Sequence, residues 1–200
     1  MPHTHDRRFD PAMLARLDSP ERRQRMPPDA IRAAAAPFAD LRVADVGAGA
    51  GFCSFALLDA PSPPALIHAV DVARELLDVL ETRREAHPHG SRVTTHCSVA
   101  ESLPLPDGAY DLVMLAAVLH ELDDAPRALR EAHRVLAPGG RVLVIDWEVP
   151  DPAVGEPPVG PPWAHRISSR TARVLLAEAG FRDARSHEGF EQVYGLSAAR

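Results

Sequence analysis

The run Val43-Ala44-Asp45-Val46-Gly47-Ala48-Gly49-Ala50-Gly51-Phe52 constrains this chain more than any other stretch. A short apolar segment holding a single acid ends in alternating glycines, and an apolar, helix-like segment from Phe52 to Leu58 follows at once. This is the pattern of a buried strand that turns sharply into a helix over a ligand. Glycine permits positive φ and lets the backbone approach a bound group with no Cβ in the way. The helix that starts there offers free N–H groups. A dinucleotide turn needs G-x-G-x-x-G, so that pyrophosphate sits on the helix N-terminus. Here the third glycine comes one residue early, and Phe52 stands where the last glycine belongs, so the fit to a dinucleotide is poor.

Around this turn the chain alternates. Strand Arg42–Val46 leads into helix Gly51–Leu58. Strand Leu66–Val70 ends in Asp71 and leads into helix Ala73–Ala86, where Leu76, Leu77 and Leu80 recur at helical spacing as a core face. Strand Arg92–His96 follows, then strand Asp111–Leu115 and helix Ala125–Leu136, which Pro138-Gly139-Gly140 is expected to end. Strand Arg141–Ile145 runs to Asp146-Trp147. A linker dense in proline and glycine, Val149 to Trp163, precedes helix Ser168–Ala179, with Gly180 as its stop. Two last strands, Arg182–His187 and Phe190–Leu196, flank a Glu-Gly turn and read as an antiparallel pair. The alternation implies a doubly wound, mostly parallel α/β sheet with right-handed crossovers and an antiparallel C-terminal hairpin.

Residues 1–40 read as a tail and a short helical cap, and 41–200 as the main body of one globular domain. The tail is polar. Its His3 and His5 form a His-x-His pair with no further ligand beside them, so a loose tail is the simpler reading and no metal is expected. Short helices are expected at Pro11 to Leu17, from Ser19 as N-cap with Pro20 at the first helical position, and at Asp29 to Phe38. A net charge of −6 offers no basic surface for nucleic acid. No run is long and apolar enough to cross a bilayer, and no apolar leader segment follows the N-terminal charges. The cysteines, Cys53 and Cys97, lie far apart without metal spacing, which reads as a reduced, cytoplasmic protein. All 22 basic residues are arginine, which a GC-rich coding bias explains.

In an open α/β sheet the ligand sits outside the carboxyl ends of the strands. The first end offers Asp45 and the glycine turn, with Asp45 either touching the ligand or holding the loop's N–H groups. The second offers Asp71, where an acid can accept both hydroxyls of a ribose; the alternative is an acid answering the helix dipole. The third offers Cys97 to Glu101, the fourth Ala116 and Ala117 with His120-Glu121 one turn on, and the fifth Asp146 and Trp147. Cys53 stands in the first turn of a helix, a position that can lower a thiol pKa, but two separated cysteines, near the cofactor or the core, argue against thiol chemistry.

At these residues the chain resembles a broad family, the class I S-adenosylmethionine (SAM) methyltransferases of the ubiquinone/menaquinone-biosynthesis-like type. The resemblance rests on Asp45 to Phe52, Ala69-Val70-Asp71, Ala100 to Gly108, Tyr110 to Val113, Val118-Leu119-His120-Glu121-Leu122 and Arg134 to Arg141. Phe9-Asp10-Pro11, Leu17 to Arg23, Ile145-Asp146-Trp147, Gly160-Pro161-Pro162 and His165-Arg166-Ile167 resemble a small subgroup of these enzymes. The resemblance implies SAM as cofactor, with Gly47, Ala48, Gly49 and Gly51 against its methionine moiety and Asp71 on the ribose. It implies Val72 packed on adenine, Ala100 and Glu101 at the adenine edge, and Ala116 and Ala117 along the amino-acid part. Many relatives carry Asp where this chain has Val99, so adenine recognition is expected either to weaken or to pass to backbone and Glu101.

Methyl transfer from a sulfonium is an in-line displacement in which the protein chiefly aligns nucleophile and methyl. His120 is the candidate base, with a structural histidine as its alternative. Trp147, His165 and Arg166 are candidate substrate contacts, Arg166 for an anionic group; a surface loop is the plainer reading of the last two. Three functions stand on this reading. The first is a SAM-dependent methyltransferase acting on a small molecule. The second is an NAD(P)-dependent oxidoreductase, which Phe52 opposes. The third is a catalytically silent SAM-binding partner protein. The acceptor and the oligomeric state are not read from the sequence.

Overall fold

A computed structural model describes Leu14, Leu17 and residues 19–36, 38–149 and 159–200. Its centre is one seven-stranded sheet in the order β3-β2-β1-β4-β5-β7-β6. The strands are β1 (Arg42–Val46), β2 (Leu66–Asp71), β3 (Val93–Cys97), β4 (Tyr110–Ala116), β5 (Leu136–Trp147), β6 (Arg182–His187) and β7 (Val193–Ala199). β3, β2, β1, β4 and β5 run parallel, β7 pairs antiparallel with β5, and β6 pairs antiparallel with β7. The helices are α1 (Pro20–Arg25), α2 (Pro28–Ala35), α3 (Phe52–Leu58), α4 (Arg74–Glu85), α5 (Ala125–Val135) and α6 (Ser169–Glu178).

Each face of the sheet carries its own apolar layer. On one face Ile31 of α2, Leu57 of α3, and Leu77 and Leu80 of α4 pack on Val43, Ile67, Met114 and Leu143. On the other, Leu129 and Ala132 of α5 and Leu176 of α6 pack on Ala44, Val113, Val144 and Leu196. Alternation along β1 and β4 supplies both layers, as expected for strands buried on both sides. The strand order reverses between β1 and β4, which places the topological crevice at their carboxyl ends.

The capping signals act as the sequence suggests. The Ser19 hydroxyl accepts from Arg22 N at 3.2 Å, and Ser168 accepts from Thr171 N at 3.2 Å ahead of α6. Gly180 closes α6 with φ +99°.

Two boundaries differ. Pro138-Gly139-Gly140 does not end α5. That helix stops at Val135, and Leu136 already pairs with Tyr110 as the start of β5. The glycines lie inside the strand, where the register shifts before Leu112 meets Arg141. β7 begins at Val193, not Phe190, and runs to Ala199. Phe190 instead lays its ring over Gly195, and Gln192 enters the strand at φ +60°. The helix expected at Pro11 to Leu17 and the tail imidazoles His3 and His5 fall largely or wholly outside the described residues.

Candidate functional site

The glycine turn leaves β1 with φ of +70° at Gly47, +54° at Gly49 and +89° at Gly51. Gly47 N and Ala48 N both donate to Val70 O, at 2.7 and 3.1 Å, so the turn is anchored to the end of β2. Gly47 admits no side chain: a Cβ there would lie 2.1 Å from Cγ2 of Val118. The loop after β4 therefore closes directly onto the loop after β1. Ala117 enters that loop at φ +59°, with its N–H held by Ile145 O at 2.7 Å. A non-glycine residue in this region costs on the order of 1 kcal/mol and marks a backbone fixed by its surroundings.

Asp71 ties the turn to its neighbour. One carboxylate oxygen accepts from Gly49 N at 2.7 Å, and the other accepts from Ala73 N at 2.8 Å, just ahead of α4. Val72 and Val99 flank this acid at the ends of β2 and β3, and both are unusually open for valine, at 43% and 40% exposed. Ala100 is buried, and the Glu101 carboxylate accepts from Asp124 N at 3.4 Å. Ala116 is buried at the end of β4.

Asp45 does not face the crevice. It is buried, and its carboxylate accepts the Ser54 hydroxyl at 2.6 Å. Burial pushes its pKa up to about 6, against the opposing Ser54 hydrogen bond and the charge of Arg22. The acid thus holds the first turn of α3 to β1 and does not take the loop's N–H groups. Cys53 corrects its expectation too: burial, with the nearby Asp45, pushes the thiol up to about 12, so it is inert packing. Arg22 lies over the Phe52 ring at 4.7 Å and is half-buried.

The second cluster stands at the ends of β4 and β5. His120 Nδ1 is 2.7 Å from Asp146 Oδ1, and His120 N donates to Asp146 Oδ2 at 3.2 Å. Trp147 N adds a third donor at 2.6 Å. Asp146 is fully buried and the His120 side chain is 6% exposed. Burial drives the imidazole pKa down, but the hydrogen bond and charge of Asp146, helped by Glu121, prevail and hold it above its ordinary value. With Nδ1 facing Asp146, Nε2 is left outward, 3.6 Å from the exposed carboxylate of Glu121. Glu121 does not cap α5; Asp124 does, accepting from Arg127 N at 2.9 Å. Tyr194 lies opposite Asp146 in the β5–β7 register, and its buried hydroxyl has no hydrogen-bond partner among the described residues.

The candidate substrate residues separate. Trp147 is half-buried between two guanidinium groups, Arg25 at 5.0 Å and Arg166 at 4.9 Å from its ring centre. Gly160 lies flat on the same ring, where a Cβ would come within 2.8 Å. Arg166 is buried, not a surface residue, and its three nitrogens donate to the carbonyls of Pro161, Glu148 and Val159 at 2.9 to 3.1 Å. It fastens the segment after residue 158 onto Trp147. His165 is exposed. Sequence reasoning placed Asp146 at a strand end without a role, although it carried the same signal as Asp71. It placed Val118 in a motif without a role and gave no sign of Tyr194; both parts depend on contacts between strands and loops distant in sequence.

Among the described residues no group of three or more His, Cys, Asp or Glu side chains is suited to a metal, and no helix is long and apolar enough to cross a membrane.

Comparison with known proteins bears on this geometry. A family model described as a methyltransferase domain matches residues 44–144. The ubiquinone/menaquinone biosynthesis C-methyltransferase of Hahella chejuensis is 30% identical over 146 residues, 72% of this chain and 56% of its own length. The demethylmenaquinone methyltransferase of Thermus thermophilus is 36% identical over 109 residues, 54% of this chain and 48% of its own. The chain spans about half the length of the curated relatives it matches. Among solved structures, a SAM-dependent methyltransferase from Aquifex aeolicus superposes with a TM-score of 0.80 at 26% identity, covering 96% of this chain and 98% of that one.

Proposed function

This chain belongs to the methyltransferase-domain family, and on that premise we propose that it binds SAM and transfers its methyl group to a small-molecule acceptor. The observation that carries the reading is the bond from Gly49 N to Asp71 at 2.7 Å, which fixes a side-chain-free turn against a strand-end acid. The fit to the cofactor is testable on the residues present. Gly47, Ala48, Gly49 and Gly51 form a backbone cradle with positive φ at each glycine. Asp71, at the end of β2 beside the turn, is the acid for the ribose hydroxyls, and the open valines Val72 and Val99 supply apolar faces for an adenine ring. Ala100 and Glu101 border that ring, and Ala116 and Ala117 border the amino-acid end. Asp45 acts one step back, by pinning α3.

When bound, SAM supplies an electrophilic methyl on a positively charged sulfur. The chain's own residues position the acceptor and take its proton. His120 Nε2 is the basic atom, and Asp146 fixes the tautomer by holding Nδ1. Trp147, packed between Arg25 and Arg166, forms a rigid wall beside this pair. Arg166 acts through that wall, since its donors are directed at backbone carbonyls. His165, exposed on the adjoining turn, stands at the rim.

Calorimetric titration with SAM, S-adenosylhomocysteine and NAD tests the reading. Binding of the first two without NAD is expected, and tight NAD binding without SAM overturns it in favour of an oxidoreductase. A screen for S-adenosylhomocysteine release over metabolite pools then separates an enzyme from a silent SAM-binding protein, for which every pool stays negative.

A further inference from the structure

Away from the crevice, three side chains meet on the β2–β3–β4 side of the sheet. His68 of β2 and His96 of β3 lie diagonally across neighbouring strands, and Tyr110 reaches them from the start of β4. β1 runs between, and Ala44, level with His68, leaves the space for this crossing. His96 Nε2 is 3.2 Å from His68 Nδ1, and Tyr110 Oη is 2.8 Å from the same atom. The imidazole rings are 4.9 Å apart at a tilt of 38°, and the phenol ring meets His68 edge-on at 5.6 Å.

The convergence is more than one nitrogen can satisfy. Nδ1 of an imidazole carries either one proton or one in-plane electron pair. It can serve one of its two partners with good geometry, and the other is left short. A cation placed among the three atoms serves all of them. A zinc ion about 2.0–2.1 Å from its ligands in tetrahedral array holds them about 3.3 Å apart; the two nitrogens already stand at 3.2 Å, and Tyr110 Oη, at 2.8 Å from His68 Nδ1, has to move outward by about half an ångström. Tyr110 is buried, and the two half-buried imidazoles leave the solvent side open for a fourth, water ligand. Burial holds both imidazoles below their ordinary pKa, and at His68 the charges of His96 and Arg42 add to it. Burial raises the Tyr110 phenol, and Arg42, 5.8 Å over its ring, opposes that by favouring the phenolate.

We propose that His68 Nδ1, His96 Nε2 and Tyr110 Oη form a binding site for a divalent transition-metal ion of the zinc class. On binding, the Tyr110 O–H bond gives its proton to solvent and the phenolate oxygen becomes a ligand; no electron transfer is involved. The site joins β3, an outer strand, to β2 and across β1 to β4. It thereby stiffens the strand that leads to Val99, Ala100 and Glu101.

The test is titration of the full chain with zinc chloride at neutral pH, in a background carrying His3→Ala, His5→Ala and Cys97→Ser to remove competing donors. One zinc per chain is expected, accompanied by the ultraviolet difference band of one tyrosinate and by a rise in the thermal midpoint. His68→Ala and His96→Ala are each expected to weaken binding at least tenfold. Tyr110→Phe, which keeps the ring in the core, is expected to abolish the band and weaken binding. Absence of binding below millimolar zinc, zinc binding without a tyrosinate band, or unchanged affinity in Tyr110→Phe overturns the proposal, the last even if a histidine variant fails to fold.

Discussion

His120 and Asp146 are joined twice, ring to carboxylate at 2.7 Å and backbone N–H to carboxylate at 3.2 Å. The double link fixes both the rotamer of the imidazole and the loop that carries it. It also sets the direction of the His120 pKa, because the hydrogen bond and charge of Asp146, with Glu121, together outweigh burial. Asp146→Asn is expected to move that pKa down. An NMR titration of the imidazole resonances checks this, and an unchanged or raised value contradicts it. Linkage has a definite sign here. With its folded pKa raised, His120 adds stability that is full below the ordinary histidine pKa and is lost as pH rises through the folded value. Asp146→Asn therefore flattens that dependence.

Once an acceptor is found, His120→Ala is expected to lower kcat by about 10²–10⁴, the range for a general base. Steady-state rates across pH decide it. The wild-type rate should climb with pH through the His120 titration, and a variant retaining the wild-type rate and profile removes the base from the mechanism.

Gly47→Ala places a methyl group 2.1 Å from Val118 Cγ2 at a backbone φ of +70°. Overpacking and the left-handed backbone together are expected to cost about 2–4 kcal/mol. Adding Val118→Ala removes the steric part and leaves the backbone part, about 1–2 kcal/mol. Urea unfolding of the single and double variants measures both. An additive pair would show that the two loops do not press on each other.

Asp45 supplies a pH test of the core. Its folded pKa of about 6 stands above its ordinary 3.8, so its contribution to stability is full at low pH and is lost as pH rises through about 6. The loss is on the order of 2–3 kcal/mol by linkage. Asp45→Asn keeps a hydrogen-bonding partner for Ser54 and is expected to abolish this fall. Chemical denaturation at a series of pH values reads it directly, and an identical slope in wild type and variant contradicts it.

The chain discloses its cofactor half more fully than its acceptor half, for physical reasons. The glycines and Asp71 each directly follow their own apolar strand, so each is legible by itself, and the parallel pairing of β1 with β2 that the alternation implies brings them together. The partnership of His120 with Asp146 spans 26 residues, and the pairing of Asp146 with Tyr194 depends on an antiparallel register. Neither leaves a periodic trace. Pro138-Gly139-Gly140 misleads because a glycine stop and a glycine bulge have the same composition; only the pairing of Leu136 with Tyr110 distinguishes them. Cys53 misleads because helix position suggests a low thiol pKa, while burial, which dominates, is a property of the assembled core. Arg166 reads as a loop residue and becomes buried because three carbonyls and the Trp147 face receive it.

The central claim is that the turn closed by Gly49 and Asp71 is a SAM site. Calorimetric titration of S-adenosylhomocysteine into wild type and Asp71→Ala tests it most directly. Binding to wild type, weakened in the variant by about 1–3 kcal/mol through loss of charge-assisted hydrogen bonds, is the predicted result. Equal affinity in the two proteins, or a wild type that takes NAD and refuses S-adenosylhomocysteine, would contradict it.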